Sequence, residues 1–291
     1  MSFQTEGISI DLLERVLMKL GLSDRPAPTL AGLQALYAAW CRKVPFDNVR
    51  KLIHVRNDDP GPLPGDAAAD FLQAWLLYGT GGTCWAGNGA LHALLVALGF
   101  PAYRGIGTML VAPHVPPNHG TVLVEWDTRR YVVDASILHS EPLQLDEHAP
   151  TGVSHPAWGV HCSKRDGHWY IRWRPLHRPD WIDCRIDHMQ VPRESFRERH
   201  EQTRPWSPFN YELAARLNRG DVVVGVGCGQ RVELNAAGEV VQKHLEGDER
   251  LRLLVDDLGM KEEIVQRLPH DLPTPPPPWS RTAQRASSGE S

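Results

Sequence analysis

The sequence lacks a long apolar run and any large excess of one charge sign. Nowhere in its 291 residues does it reach the roughly 18 consecutive apolar residues that a membrane-spanning helix needs. The 35 acidic and 31 basic residues leave a net charge of −4 at pH 7, which gives no attraction to nucleic acid or an anionic membrane. The start of the chain, MSFQTEG, has neither the basic residues nor the apolar core of a secretory signal. We therefore expect neither nucleic acid nor a membrane as a partner.

Cysteine is scarce, and the five that occur are far apart, at Cys41, Cys84, Cys162, Cys184 and Cys228. Their odd number and wide spacing argue against a disulfide framework, and the Cys-x-x-Cys spacing of a zinc knuckle is missing. The sequence thus predicts a reducing compartment, the cytoplasm. It indicates no metal and no prosthetic group.

The first third of the chain has a helical pattern. Apolar residues make up 42% of the sequence and charged residues 23%, proportions typical of a soluble globular protein. Before residue 100 the apolar residues recur three and four positions apart, which predicts helices over 12–20, 30–42, 67–77 and 91–98.

Beyond residue 100 the apolar pattern alternates, as in strands. It predicts a hairpin of 121–126 and 130–134, and further strands over 168–173, 221–226, 230–234 and 240–244. A last helix is predicted over 248–258, and the proline-rich end, 272–291, has too few apolar residues to pack. The order of elements predicts an α+β protein.

One cysteine stands at the start of a predicted helix, in the stretch GTGGTCWAGNG of residues 79–89. Thr83 is placed to cap this helix, so Cys84 falls in its first turn, where the helix dipole and free N–H groups favour a thiolate and could hold an oxyanion. Gly81 and Gly82 could leave room for a substrate. The segment alone also fits a buried core thiol beside a tight turn.

A nucleophilic cysteine needs a base, and the base needs an orienting group. His119 and Asp134 stand at the two open ends of the predicted hairpin, on the same face. Pairing Trp126 with Tyr131 places Asp134 opposite Leu123, roughly 13 Å along the strand from the histidine. A bulge or a shifted register is needed to bring the two side chains together.

Five short elements, in order, resemble the arylamine N-acetyltransferases. That family's signature is Arg-Gly-Gly-x-Cys-x-Glu-x-Asn, followed by a histidine and a Val-Asp motif. Here the matching elements are VPFDN at 44–48, GGTCWAGN at 81–88, His119, VVD at 132–134 and SPF at 207–209. The resemblance extends from about residue 10 to residue 260.

The resemblance implies a fold in three parts. These are an N-terminal helical bundle (1–99), a central antiparallel β-barrel-like domain (100–205) and a C-terminal α/β lid (206–271), followed by a disordered tail (272–291). It also implies a catalytic triad of Cys84, His119 and Asp134, as in transglutaminases and papain-like enzymes.

The same resemblance implies the substrates and their contacts. An acyl thioester such as acetyl-CoA is the expected co-substrate, and an arylamine or hydrazine is the expected acceptor. The residues expected to contact substrate or oxyanion are Gly82, Thr83, Trp85, Phe46 and Phe209.

Two departures from the family signature leave the substrates open. Thr80 stands in place of the arginine and Ala86 in place of the glutamate, a joint loss that removes both partners of a buried pair. An amide synthase that takes its acyl group from a carrier protein is therefore an alternative. So are a cysteine hydrolase with water as acceptor and a binding protein without activity.

Tryptophans in the second half are a further candidate for the site. Core packing explains most buried tryptophans, and the alternative is that one of them lines a site for an aromatic amine. The candidates are Trp169, Trp173, Trp181 and Trp206.

Overall fold

The computed structural model describes residues 7–112, 114–176, 180–246, 248–278 and 280. The helices are α1 (Ile10–Leu20), α2 (Leu30–Lys43), α3 (Val49–Arg56), α4 (Ala68–Tyr78), α5 (Cys84–Ala97), α6 (Arg193–Glu201), α7 (Glu249–Arg252) and α8 (Glu262–Val265). The strands are β1 (Phe46–Asp47), β2 (Ala102–Met109), β3 (His119–Trp126), β4 (Arg129–Val133), β5 (Leu143–Leu145), β6 (Thr151–Val153), β7 (Val160–Arg165), β8 (His168–Trp173), β9 (Ile182–Val191), β10 (Ala215–Arg219), β11 (Val222–Gly227), β12 (Gln230–Leu234) and β13 (Val240–His244). Among the described helices, none has the length and apolar character to cross a membrane.

Three of the helices predicted in the first third are confirmed within two residues, and the fourth, predicted from the apolar stripe over 91–98, is the second half of α5, which begins at Cys84. Ser9 accepts a hydrogen bond from Leu12 N at the start of α1, and Gly21 ends that helix with φ 80°, a value that favours glycine. Helix α3 is an addition, because its eight residues are too few to give a clear apolar period. The core between α1, α2, α4 and α5 contains Trp40 and Trp75, both almost fully buried.

Eight antiparallel strands form one sheet in the order β5-β4-β3-β2-β9-β8-β7-β6. The sheet curls until β5, at one end, contacts β6 and β7 at the other, which confirms the barrel-like prediction. The hairpin of β3 and β4 separates two cores, as its alternating pattern predicts. Val122 and Val133 pack on the helices, whereas Leu123 and Val132 point into the barrel.

A second sheet has the order β1-β10-β11-β12-β13. Strands β10 to β13 come from the last part of the chain, and the C-terminal helical segments pack on the sheet. Its first strand, β1, comes from the N-terminal part, so that part is not wholly helical. Phe46 pairs with Arg216, and this contact joins the N-terminal helices to the C-terminal sheet.

The proline-rich end of the chain begins as a packed segment. Leu272 N donates to Tyr211 O at 2.9 Å, and Trp206 Nε1 donates to Pro275 O at 3.2 Å. The prediction of a disordered tail covered 272–291, and residues 281–291 of that range lie outside the described residues.

Candidate active site

Cys84 is the first residue of α5, as its sequence position predicts. It is 7% exposed, and its Sγ lies 3.8 Å from Asn118 O. Thr83 is the N-cap residue, but within the described chain its side chain makes no capping hydrogen bond. The first N–H groups of an α-helix have no partner within the helix, so those around Cys84 stay available to an oxyanion.

The two glycines before the cysteine lie in close packing contacts. A Cβ built on Gly81 would overlap the carbonyl oxygen of Pro45, and one on Gly82 would lie 2.9 Å from the Phe71 ring. Gly82 forms a parallel bridge with Phe46. The absence of a side chain at these two positions is thus explained by the close approach of strand β1 and the Phe71 ring.

His119 and Asp134 meet, because the hairpin register differs from the predicted one. Asp127 and Thr128 form a two-residue turn with φ of 47° and 62°, so Trp126 pairs with Arg129 and not with Tyr131. The shift brings Asp134 two residues closer to His119 along the hairpin, a gain of roughly 7 Å. No bulge in this hairpin is needed.

The carboxylate of Asp134 is fully buried and held on both oxygens. His119 Nε2 lies 2.7 Å from Oδ2, and the backbone N–H groups of Ser136 and Ile137 donate to Oδ1 at 2.8 and 3.0 Å. Because Nε2 is engaged by the carboxylate, Nδ1 is the ring nitrogen left for the hydrogen bond with the Cys84 thiol. The three side chains form one hydrogen-bonded chain.

Electrostatics within this chain favour a charged imidazole. Burial alone lowers the pKa of His119, but the Asp134 carboxylate and the bond to Cys84 outweigh it and raise the pKa to about 10. Burial likewise raises the pKa of Asp134, but the imidazole and the hydrogen bonds hold it well below its usual range. The arrangement suits a thiolate–imidazolium pair oriented by a carboxylate.

Asn88, on helix α5, is hydrogen-bonded to the β3–β4 hairpin. Its side-chain nitrogen donates to Gly120 O at 2.6 Å, and its side-chain oxygen accepts from Ala135 N at 2.9 Å. It therefore contacts the start of β3 and the chain just after the end of β4. It belongs to the quoted motif, but its role was not predicted, since nothing local shows which backbone groups it meets. The bonds fix Cys84 relative to His119 and Asp134.

The hydroxyl of Tyr37, on α2, supports the Asp134 end of the hairpin. It donates to Asp134 O at 2.9 Å and accepts from Asp134 N at 3.0 Å and His139 N at 3.2 Å. The ring of His139 packs edge-on against Tyr37, with centroids 5.0 Å apart. The backbone that carries the carboxylate is therefore anchored to the helical core.

One of the two departures from the family signature lies against a neighbouring loop. A Cβ built on Gly65 would lie 2.6 Å from Ala86 Cβ, so the loop packs closely on this alanine. Thr80 is fully buried, and its hydroxyl has no hydrogen-bond partner among the described residues. The change of both residues together leaves no buried charge unpaired at these two positions.

The predicted aromatic contacts fall into two groups. Phe46 and Phe209 pack edge to face with centroids 5.4 Å apart, next to the bridge to Gly82. Trp85 packs against Phe196 at 5.3 Å, on the other side of the helix start. The structure thus brings Phe46 and Phe209 together, and it places Trp85 in a separate contact.

The four tryptophans proposed as a substrate wall are dispersed. Trp169 and Trp173 lie in the core of the barrel. Trp181 packs near His161, and Trp206 binds the proline-rich segment. In this group, Trp173 is the tryptophan that also contacts Arg216.

Lys51 is a buried cation near the nucleophile that the sequence did not suggest. It is 4% exposed, and its Nζ donates to Thr203 Oγ1 at 2.8 Å. Burial lowers the pKa of Lys51 to about 7, with the charges of Cys84 and Glu201 opposing the shift and Arg204 adding to it. A lysine at that position costs stability when it is protonated.

Replacing Lys51 with methionine should therefore stabilise the protein in a pH-dependent way. The folded pKa is lower than the unfolded value of 10.5, so the penalty is fully present below about pH 7 and decreases steadily as the pH rises from there to the unfolded value. We expect Lys51→Met to raise the free energy of unfolding by about 2 kcal/mol near pH 6.5, and by much less near pH 10. Urea unfolding at both pH values measures the difference. Lys43→Met, at an exposed lysine, is the control, and an equal effect of Lys51→Met at both pH values would contradict the expectation.

No group of three or more metal-ligating side chains occurs among the described residues. All five cysteines are unpaired.

Comparison with known proteins agrees with this geometry. A model of the N-acetyltransferase family matches residues 29–249, more than half of the chain. The chain belongs to the N-acetyltransferase family. Membership confirms the resemblance drawn from the motifs. An arylamine N-acetyltransferase from Mycolicibacterium smegmatis is 32% identical over 152 residues, which is 46% of this chain and 53% of that relative. The sequence match thus spans about half of the curated relative's length.

Solved structures of arylamine N-acetyltransferases share the fold of this family member over nearly their whole length. The Mycobacterium smegmatis structure superposes with a TM-score of 0.75 at 20% identity, covering 90% of this chain and 99% of that one. The Mycobacterium marinum enzyme, solved in complex with CoA, gives 0.74 at 19% identity, covering 89% and 95%. The Salmonella typhimurium enzyme gives 0.73 at 18% identity, covering 88% and 97%.

Proposed function

We propose that the chain transfers an acetyl group from acetyl-CoA to an arylamine or hydrazine through an acyl-enzyme on Cys84. The observation that carries this proposal is the buried hydrogen-bonded chain of Asp134, His119 and Cys84, with the thiol at the first residue of a helix. The relatives named arylamine N-acetyltransferase support the choice of substrates. The division into 1–99, 100–205 and 206–271 is part of the proposal.

The first half-reaction forms the acyl-enzyme. The Cys84 thiolate attacks the thioester carbon of acetyl-CoA, and the N–H groups at the start of α5 stabilise the oxyanion. The C–S bond to CoA then breaks, and the departing thiolate takes the proton from the His119 imidazolium. In this step Asp134 keeps the histidine in the tautomer that faces the sulfur. Gly82, Thr83 and Trp85 lie at the helix start and form the proposed oxyanion and acyl contacts.

The second half-reaction transfers the acetyl group. The acceptor amine attacks the Cys84 thioester, its proton passes to His119, and the amide leaves as the C–S bond to the cysteine breaks. Water must be kept out, because it would hydrolyse the same intermediate. Phe46 and Phe209 are the proposed apolar walls for the acceptor. A reducing compartment such as the cytoplasm suits the free thiol that this cycle requires.

Intact-protein mass spectrometry after brief incubation with acetyl-CoA tests the proposal. We expect one acetyl group on the wild-type protein, none on Cys84→Ser, and its removal when an arylamine is added. An adduct lost equally fast without amine would replace the proposal with a hydrolase. If no adduct forms while the thiol still reacts with iodoacetamide, acetyl-CoA is the wrong donor, and a carrier-protein thioester is the next one to test.

A further inference from the structure

A cleft between helices α5 and α6 is lined by residues outside the candidate triad. It holds about 360 Å³, including the space at its open mouth. Helix α6 contributes Arg193, Phe196, Arg197 and His200, which share one face of the helix because they stand at positions i, i+3, i+4 and i+7. Helix α5 contributes Trp85, whose ring packs edge to face on Phe196 with centroids 5.3 Å apart.

Three guanidinium groups line this cleft, those of Arg104, Arg193 and Arg197. Arg104, on β2, is 6% exposed, and its guanidinium lies 5.8 Å from the centroid of the Phe196 ring. Asp66 supplies the one carboxylate among the described residues that line the cleft, and both of its oxygens accept from Arg197 Nε at 3.0 Å. The lining therefore has an excess of two positive charges, which attracts an anion.

Arg193 is the arginine of this group that has its guanidinium available. Its side chain makes no hydrogen bond or ion pair within the described part of the chain, whereas Arg197 is held by Asp66. It is half-buried and is the first residue of α6. A guanidinium presents its N–H donors in a planar fork that fits two oxygens of a carboxylate or phosphate. Arg193 can therefore hold an oxyanion that enters the cleft without giving up a contact.

His200 adds a hydrogen-bond acceptor to this cationic cleft. It is 3% exposed, and its Nε2 lies 3.1 Å from Pro64 O, so Nε2 carries the ring proton. Nδ1 is then an acceptor, and it is buried without a hydrogen-bond partner among the described residues. Burial and the charge of Lys51 lower the pKa of His200 to about 4, so the ring is neutral at pH 7. Buried polar atoms without a partner are rare, and this one indicates a ligand or water that donates a hydrogen bond.

We propose that this cleft binds a phosphate group that still carries a proton, and that it prefers phosphate to sulfate. The phosphate oxygens accept from the guanidinium groups, and the P–O–H group donates to His200 Nδ1. Sulfate has the same shape but no proton at neutral pH, so it leaves Nδ1 without a donor. The source of the group is free inorganic phosphate or a phosphate of CoA, held by the same contacts. The inference does not depend on the proposed function, because phosphate binding is measured without turnover.

Isothermal titration calorimetry with sodium phosphate, near pH 7 and at constant ionic strength, tests the site. We expect one phosphate per chain, and at least about 10-fold weaker binding of sulfate, because a sulfate oxygen would face the Nδ1 lone pair. Arg193→Gln should weaken phosphate binding at least about 10-fold, because charge-assisted hydrogen bonds are lost. Arg193→Lys should keep part of the affinity, since a charge remains but the fork geometry does not.

Arg199→Gln is the matched control, because Arg199 is a half-buried arginine on the same helix that does not line the cleft. It should bind phosphate as the wild-type protein does. The inference is overturned if the wild-type protein binds no phosphate, if Arg193→Gln binds it equally well, or if sulfate binds as tightly as phosphate.

Competition with CoA distinguishes the two sources of the phosphate group. If CoA displaces phosphate from the wild-type protein, and its own binding weakens in Arg193→Gln, the group belongs to CoA. If phosphate binds with the same affinity in the presence of CoA, the ligand is free phosphate. Either result supports the site, and neither requires that the protein forms an acetyl-enzyme, so failure of the proposed function is seen separately.

Discussion

Asp134→Asn is expected to slow formation of the acetyl-enzyme by about 10³- to 10⁴-fold, the loss typical of a triad carboxylate replaced by its amide. The amide oxygen will face the N–H donors of Ser136 and Ile137, since the NH₂ group cannot accept from them. The NH₂ then faces His119 Nε2, which forces the ring proton onto Nδ1, the nitrogen that serves Cys84. The histidine can no longer take the thiol proton.

The same substitution removes the cause of the raised pKa of His119. Burial alone lowers that pKa, and the Asp134 carboxylate provides the largest opposing interaction. The imidazolium present in the wild-type protein near neutral pH should therefore be lost. Single-turnover acetylation, followed by mass spectrometry across pH, measures both effects. Asp146→Asn, at a half-buried carboxylate just after β5 and outside the candidate site, is the control, and a loss below about 10-fold for Asp134→Asn would contradict the assigned orientation.

Gly81→Ala is expected to destabilise the fold by more than about 3 kcal/mol. The added Cβ would overlap the backbone carbonyl of Pro45, which cannot move away like the end of a flexible side chain. Gly81 N also donates to the buried Asp47 carboxylate, and that bond would be lost as the strands separate. Because β1 joins the helical core to the C-terminal sheet, the damage should spread to Arg216 and to the start of α5.

Urea unfolding followed by circular dichroism measures this loss. Gly89→Ala, on the same helix as the nucleophile, is the matched substitution. The nearest atom to its added Cβ is Phe196 Cδ1 at 4.0 Å, and alanine within a helix gains up to about 1 kcal/mol over glycine. We expect Gly89→Ala to be neutral or more stable. A Gly81→Ala protein within about 1 kcal/mol of wild type would show that β1 can move away at little cost.

Local periodicity accounts for the parts of the fold that the sequence predicted. The apolar stripe of α1 and the alternating apolar residues of β3 repeat within a single element. They can therefore be recognised without knowing which other element packs against it. The hairpin register could not be read in this way. It depends on a two-residue turn at Asp127 and Thr128, both with positive φ, and a turn of this kind usually contains a glycine. Helix α3 and β1 are too short to show a period.

The candidate site also has residues that the sequence predicted and residues that only the structure revealed. Cys84, His119 and Asp134 were predicted as a triad through their match to the family motifs, because the segment around Cys84 alone also fits a buried core thiol. Lys51 and Arg216 could not be singled out from the sequence, because what distinguishes them is burial without an ionic partner, and only the folded structure shows that.

The sequence by itself determined the position of the long, periodic helices and strands, because those patterns depend on residues close in the chain. Its motifs, through their resemblance to a known family, pointed to Cys84, His119 and Asp134 as a candidate triad. The tertiary structure decided that the hairpin register brings His119 to Asp134, that the glycines accommodate strand β1, and that the buried guanidinium of Arg216 lies over the Trp173 ring. These depend on contacts between residues far apart in sequence, such as Phe46 with Arg216 and Asn88 with Ala135, and only the packed chain fixes such contacts.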